Sequence, residues 1–170
     1  EKMQDGRLLG VKKDTEKRAS NQRSWDFDVE SQGFRFHMSN INAAIGIEQL
    51  KRIDFFKEKR QLIAKQYIEI LSPINEVKFL NLNYEEIVPH IFVIKVKNRD
   101  GLRDYLLKSG IECGVHYKPN HMLKMYSNPL VTLSITESLY SKIISLPCHV
   151  DLSLLEQDYV IQKIGEFYNA

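Results

Sequence analysis

Cysteine is scarce: Cys113 and Cys148 are the only two in 170 residues. That is too few for a disulfide scaffold, and no Cys-x-x-Cys spacing offers a metal clip. Ordinary buried or half-buried thiols in a reducing compartment are expected, with the cytoplasm as the default. Charge of one sign is equally scarce. Lys and Arg number 24 against 22 Asp and Glu, for a net charge of +2. The basic residues are not pooled, so nothing argues for nucleic acid as a partner. No apolar run approaches membrane-spanning length, and the start lacks a charged-apolar-small signal peptide, so no membrane partner is expected. A glycine-rich phosphate loop, a nucleophile elbow and a His-Glu-x-x-His helix are missing too. Glu85-Glu86 sits in a polar loop with no apolar setting, which argues against general-acid work. There are no repeats and no low-complexity segments. What is present, 43% hydrophobic and 27% charged residues, suits an ordinary globular chain of one domain or one and a half. The opening Glu1-Lys2-Met3-Gln4 reads as the middle of a longer polypeptide, and a processed chain would look the same.

The pattern along the chain is α/β. Residues 1–24 are polar and basic, a loop with a short strand at Leu8-Leu9. Trp25, Phe27 and Val29 alternate with Asp26, Asp28 and Glu30 as a half-buried strand or a loop pinned by its aromatics. Ser39 to Leu71 is the longest helical stretch, with a break near Ile53-Asp54. Its second half carries Ile53, Phe56, Ile63, Tyr67 and Ile70 as one apolar stripe. Ser72-Pro73 ends it. Short strands follow at Val77–Leu80 and, dense in β-branched residues, at His90–Val96. Asp100 is placed to cap the next helix and Gly110 to close it. Ile111–Tyr117 is a further strand candidate, Ser138–Ile144 reads as helix and Ser145-Leu146-Pro147 as a short extended piece. Ser153 with Glu156 forms a capping box for a last helix, with Leu155, Tyr159, Ile164 and Phe167 as its buried stripe. The sum is an α+β layer, helices over a small sheet.

Two places can carry chemistry. At Gly33–Gly46 an extended run meets a helix start: Phe34 and Phe36 fall on one side, Arg35 and His37 on the other, and Ser39 caps the helix. A cationic pair beside a helix N-terminus is a seat for an anion, most naturally a phosphate, or else a corner with two solvated cations. His116-Tyr117-Lys118-Pro119-Asn120-His121 is the densest polar cluster in the C-terminal half. As metal ligands the two histidines lack a third partner and do not lie on a helix, so no zinc site is assigned. Either they donate to a polar ligand from a loop, where binding groups collect, or backbone carbonyls satisfy them. The second account is the one we take for His90 and His149.

The run Gly33-Phe34-Arg35-Phe36-His37-Met38-Ser39-Asn40-Ile41-Asn42-Ala43-Ala44-Ile45-Gly46-Ile47-Glu48-Gln49-Leu50 resembles a signature of the DegT/StrS-type sugar aminotransferases. Three more stretches match in order: His90–Ile94 leading to Asn98-Arg99-Asp100, then Gly110–Tyr117, then Ile144–His149. Four collinear matches cover nearly the whole chain. The resemblance implies the C-terminal part of a pyridoxal-phosphate enzyme of the aspartate-aminotransferase fold. Residues 1–38 would be the tail of its large domain and 39–170 the connecting helix and small domain. The implied reaction moves an amino group from glutamate to a nucleotide-linked keto-sugar, in a homodimer that makes amino sugars for surface polysaccharide or a glycosylated product. The cofactor lysine belongs to the absent upstream domain, and no lysine here sits in the matching motif, so no catalytic residue is assigned and the chain alone is expected to be inactive. The family commonly carries Asn and Arg where this chain has Arg35 and His37. That segment reaches the partner subunit's site, which implies cofactor and anion contacts for both. His116 and, less regularly, His121 match positions near the mouth of the active site and are the implied substrate contacts. The rival account is a non-catalytic binding or regulatory module that keeps the small-domain fold.

Overall fold

The structure, a computed structural model, describes residues 2–12, 14–22, 27–29, 31–36, 38–128 and 130–169. The chain forms two compact units, Glu1–Arg52 and Ile53–Ala170. In the first, the helices are α1 (Lys2–Gly6), α2 (Asp14–Ala19) and α3 (Asn40–Leu50). The strand expected at Leu8-Leu9 is a single antiparallel bridge, Leu8 with Arg35, and Val11 bridges Val29 likewise. Backbone bonds fix the first bridge: Phe34 N–H donates to Gly6 at 2.7 Å and Phe36 N–H to Arg7 at 2.9 Å. The rings of Phe34 and Phe36 stack with centroids 5.6 Å apart, the same-side placement that period two demands. Trp25 and Asp26 lie outside the described residues, while Phe27 and Val29 are exposed. Ser39 caps α3 as expected, its Oγ accepting the Asn42 N–H at 3.2 Å.

The long helical pattern does divide, at Lys51-Arg52, and α4 runs Ile53–Leu71. Its buried residues are Ile63, Ala64, Tyr67 and Leu71. The expected stripe holds at Ile63 and Tyr67 but not at Ile53 and Ile70, which are exposed. Steps of four from Ile63 reach Leu71, so the face turns one position past Ile70. Three antiparallel strands follow in the order β1 (Val77–Phe79), β2 (Phe92–Val96), β3 (Ile143–Leu146). The central strand alternates, with Phe92, Ile94 and Val96 buried, and register sets Ile94 against Ile144 and Phe92 against Leu146. Those side chains join residues of α4, α5 (Arg99–Lys108) and α7 (Leu154–Asn169) in one core.

Four local expectations are corrected. Asn98, not Asp100, caps α5: its backbone is left-handed and its side chain accepts the Gly101 N–H. Asn tolerates that conformation, and Asp100 already lies inside the first turn. Residues 111–117 do not form a strand, because the segment starts as a helix cap. Gly110, at φ +78°, and Ile111 send their N–H groups back to Leu107 and Leu106 at 3.0 and 2.9 Å, a Schellman closure. Only Gly114 then pairs, bridging Ser145. The helix expected over Ser138–Ile144 is α6 at Ser134–Tyr140, and Ile143–Leu146 is strand β3. Apolar runs of four cannot be told apart by period alone, and pairing with β2 decides this one. The capping box at α7 forms: Ser153 N–H donates to Glu156 at 2.8 Å and Glu156 N–H to Ser153 Oγ at 3.2 Å. Its buried face is Gln157, Val160, Ile161 and Ile164, while Leu155 and Tyr159 are exposed. The face turns because Gln157 finds a partner inside, its amide donating to the Ile63 carbonyl at 2.8 Å.

Acid sensitivity follows from α7. Hydrogen bonds from Lys163, Tyr105 and Gln162 hold the Glu166 carboxyl at about 2, against 4.5 ordinarily. A carboxylate with a depressed native pKa contributes stability that is complete above the unfolded value and lost as pH falls through the native one. Stability should therefore decline from about pH 4.5 towards pH 2, where Glu137 and Glu156, also held low, add to the slope. Glu166→Gln should flatten that limb in urea midpoints measured against pH, and an unchanged slope would rule out this assignment.

Candidate functional site

Position in the sheet sets the site. Because Ile144 and Leu146 face the core, Ser145 between them projects to the opposite face, while Gly114 pairs with its backbone along the edge of β3 away from β2. Two backbone bonds make the bridge: Gly114 N–H to Ser145 at 3.2 Å and Ser145 N–H to Gly114 at 2.8 Å. Two residues on, His116 folds back so that its Nδ1 shares a 2.8 Å hydrogen bond with Ser145 Oγ. The Tyr117 ring meets the imidazole edge-on at 4.9 Å. Beside this pair lies a cavity of about 280 Å³ bordered by His116, Ser145, His90, His149 and Arg60. His90 and His149, expected to be satisfied by backbone carbonyls, are instead exposed and line this cavity. Their neighbourhood is drawn together by Arg60 on α4, whose Nη1 donates to the carbonyls of Cys148, His90 and Pro89 at 2.7, 2.9 and 3.1 Å. A more apolar groove of about 630 Å³ adjoins it, sharing Glu112, Pro147 and His149 and extending to Leu152, Leu155 and Tyr159.

His121 does not border this cavity. Its Nε2 lies 3.0 Å from Glu137 Oε1 on α6, and the same oxygen accepts the Leu133 N–H at 3.0 Å. The Leu133 amide, and after it the His121 ring, hold the Glu137 carboxyl below the usual carboxylate range. Arg35 is exposed within the first unit, at the bridge to Leu8, and His37 lies outside the described residues. Burial pushes the Cys113 thiol up to about 12, so it is protonated at neutral pH and no ready nucleophile. Among the described residues no group of three or more His, Cys, Asp or Glu is placed to hold a metal ion. Sequence reasoning missed Ser145, Arg60 and Glu137. The one signal for Ser145 was a lone hydroxyl inside Ile143-Ile144-Ser145-Leu146, which strand alternation turns away from the face of Ile144 and Leu146.

Helices over a small antiparallel sheet are an arrangement shared with solved sugar aminotransferases. The sequence model of the DegT/DnrJ/EryC1/StrS aminotransferase family matches residues 1–165, and the chain belongs to that family. It is 29% identical over 146 residues to a UDP-4-amino-4,6-dideoxy-N-acetyl-beta-L-altrosamine transaminase of Campylobacter jejuni, covering 81% of this chain and 39% of that protein. A DegT DnrJ EryC1 StrS aminotransferase from Brucella abortus superposes with a TM-score of 0.80 at 28% identity, over 99% of this chain and 43% of that one. Helicobacter pylori PseC, an aminotransferase of pseudoaminic acid biosynthesis, gives 0.79 at 25% identity over 98% and 45%. The chain thus spans about two-fifths of the length of these relatives.

Pyridoxal phosphate, which the family implies, needs an amine to hold its aldehyde and donors for its phosphate. Neither cavity described above is lined by a lysine. The residues lining these two cavities therefore do not by themselves compose a holding site for that group.

Proposed function

We propose that this chain is the C-terminal part of an aminotransferase that moves an amino group from glutamate to a nucleotide-linked keto-sugar. The match to the family over residues 1–165 carries this reading, and a relative named as a UDP-sugar transaminase supports the substrate class. Residues 1–38 are assigned to the tail of the large domain and 39–170 to the connecting helix and small domain. A lysine outside this chain holds pyridoxal phosphate, which supplies an electron sink when bound. Arg35 and His37 serve the partner subunit's site in a homodimer, donating to the cofactor phosphate or to the nucleotide. His116 is the substrate contact of the small domain, its ring bordering the open cavity. His121, engaged by Glu137, belongs to the same loop and reaches substrate only where that pair opens. That no described helix is long and apolar enough to cross a membrane accords with an enzyme of the cytoplasm.

The enzyme that carries this chain should convert a UDP-linked 4-keto-sugar and glutamate into the amino sugar nucleotide and 2-oxoglutarate in equal amounts, read by mass spectrometry and a coupled assay. Each charged hydrogen bond is worth about 1.5–3 kcal/mol. Arg35→Ala with His37→Ala should therefore weaken cofactor or sugar-nucleotide binding by about tenfold or more. Wild-type constants in the double variant would remove the role in trans. Failure of every keto-sugar nucleotide to react would leave the chain to a binding module.

A further inference from the structure

The contact between Ser145 and His116 is more constrained than a surface hydrogen bond. Ser145 is 5% exposed and its backbone is fully used by Gly114, through the two bonds of the bridge. Its hydroxyl has one hydrogen to place, and among the described residues its one recorded side-chain partner is Nδ1 of His116, at 2.8 Å. Buried donors without an acceptor are rarer than oxygens with one lone pair unused. If the neutral ring carried its proton on Nδ1, the imidazole would donate to Oγ and the serine hydrogen would have no side-chain acceptor among the described residues. With the proton on Nε2, the hydroxyl donates to Nδ1 and both groups are satisfied. The ring also lies close over Gly114: a Cβ there would clash with His116 Cε1. Gly114 has an ordinary backbone conformation, so what its missing side chain provides is room for the imidazole.

We propose that Ser145 is a positioning residue, with Gly114 as its platform, that holds the neutral His116 ring as the Nε2–H tautomer and so presents a hydrogen-bond donor to an oxygen-bearing ligand in the adjoining cavity. The acceptor class is a hydroxyl, carbonyl or phosphate oxygen, and a ligand that must donate to that ring nitrogen is a poor match. The functional half rests on His116 being the substrate contact; the structural half does not.

The test has two arms. In the 170-residue chain labelled with 15N-histidine, at a pH where the ring is neutral, long-range 1H–15N spectra should show His116 as a single Nε2–H form. Ser145→Ala should bring the two ring nitrogens towards averaging, as in a free imidazole, and Ser145→Thr should restore the single form. Gly114→Ala, which displaces the ring and leaves Ser145 in place, should average them as well. It serves where Ser145→Ala does not fold. Ring nitrogens unchanged in both alanine variants would overturn the proposal, as would an Nδ1–H form in the wild type. In the enzyme that carries the chain, Ser145→Ala should raise the KM for the sugar nucleotide in the direction of His116→Ala, with Ser145→Thr near wild type. If the spectra change as expected while His116→Ala keeps a wild-type KM, the positioning stands and the assignment of His116 to substrate falls.

Discussion

Phe92→Ala should lower the unfolding free energy of the chain by about 3–5 kcal/mol, the range for emptying a buried aromatic site. Phe92 opens the central strand, is fully buried, and its ring meets three others. Tyr67 stacks on it at 5.1 Å, with Tyr84 at 5.6 Å and Phe79 at 6.2 Å. The ring therefore joins α4, β1, β2 and the loop that carries Tyr84, and no neighbour can close the gap without losing its own contacts. Tyr67 also donates its hydroxyl to the Pro147 carbonyl at 3.1 Å, so loss of the stack reaches the cavity wall. Urea unfolding followed by circular dichroism measures the effect. Phe92→Leu should recover much of it, since an apolar side chain of similar volume refills most of the site. A loss below 1 kcal/mol for the alanine variant would mean that the aromatic cluster does not hold the sheet to α4.

Arg60→Met should cost about 1.5–3 kcal/mol and should loosen the cavity more than the core. One guanidinium nitrogen with two hydrogens serves three carbonyls, so at least one hydrogen is shared. Methionine keeps the apolar stem and removes every donor. The carbonyls of Pro89, His90 and Cys148 then turn to water, which is why the cost stays at the lower end of what a buried charge would show. Two loops far apart in sequence lose their common anchor, and these loops carry His90 and His149. Hydrogen exchange should accelerate at residues 90–92 and 148–150 while Leu102 and Leu106 in α5 stay protected. Arg60→Lys, with three donors on a shorter stem, should fall between. Uniform acceleration across the second unit would show a general loss of stability instead of a released anchor.

Much of this molecule was legible before any coordinates. The Ser39 cap, the helix break between α3 and α4, the Gly110 closure and the Ser153–Glu156 box are written within a few residues of each other, and they form as written. The β-branched run of β2 declared itself by density alone. Family membership was equally local, because the match to the family runs along residues 1–165 whatever the fold does with them. The errors cluster where a residue's state depends on something distant. Asp100 looked like a cap by residue type, but helix geometry began one residue after Asn98. Ile143–Ile144 looked helical beside Ser138 until β2 claimed it as a strand.

What the sequence alone determined is therefore the local elements and the family, since both follow from neighbours along the chain. Tertiary structure alone decided which polar groups go inside and which histidines meet. Gln157 is buried because of a carbonyl 94 residues away, and Arg60 reaches across 88 residues to Cys148. The His116 ring is set by a serine 29 residues downstream. A hydroxyl, an amide or an imidazole takes its role from the partner it finds, and that partner is fixed only when the sheet and helices close.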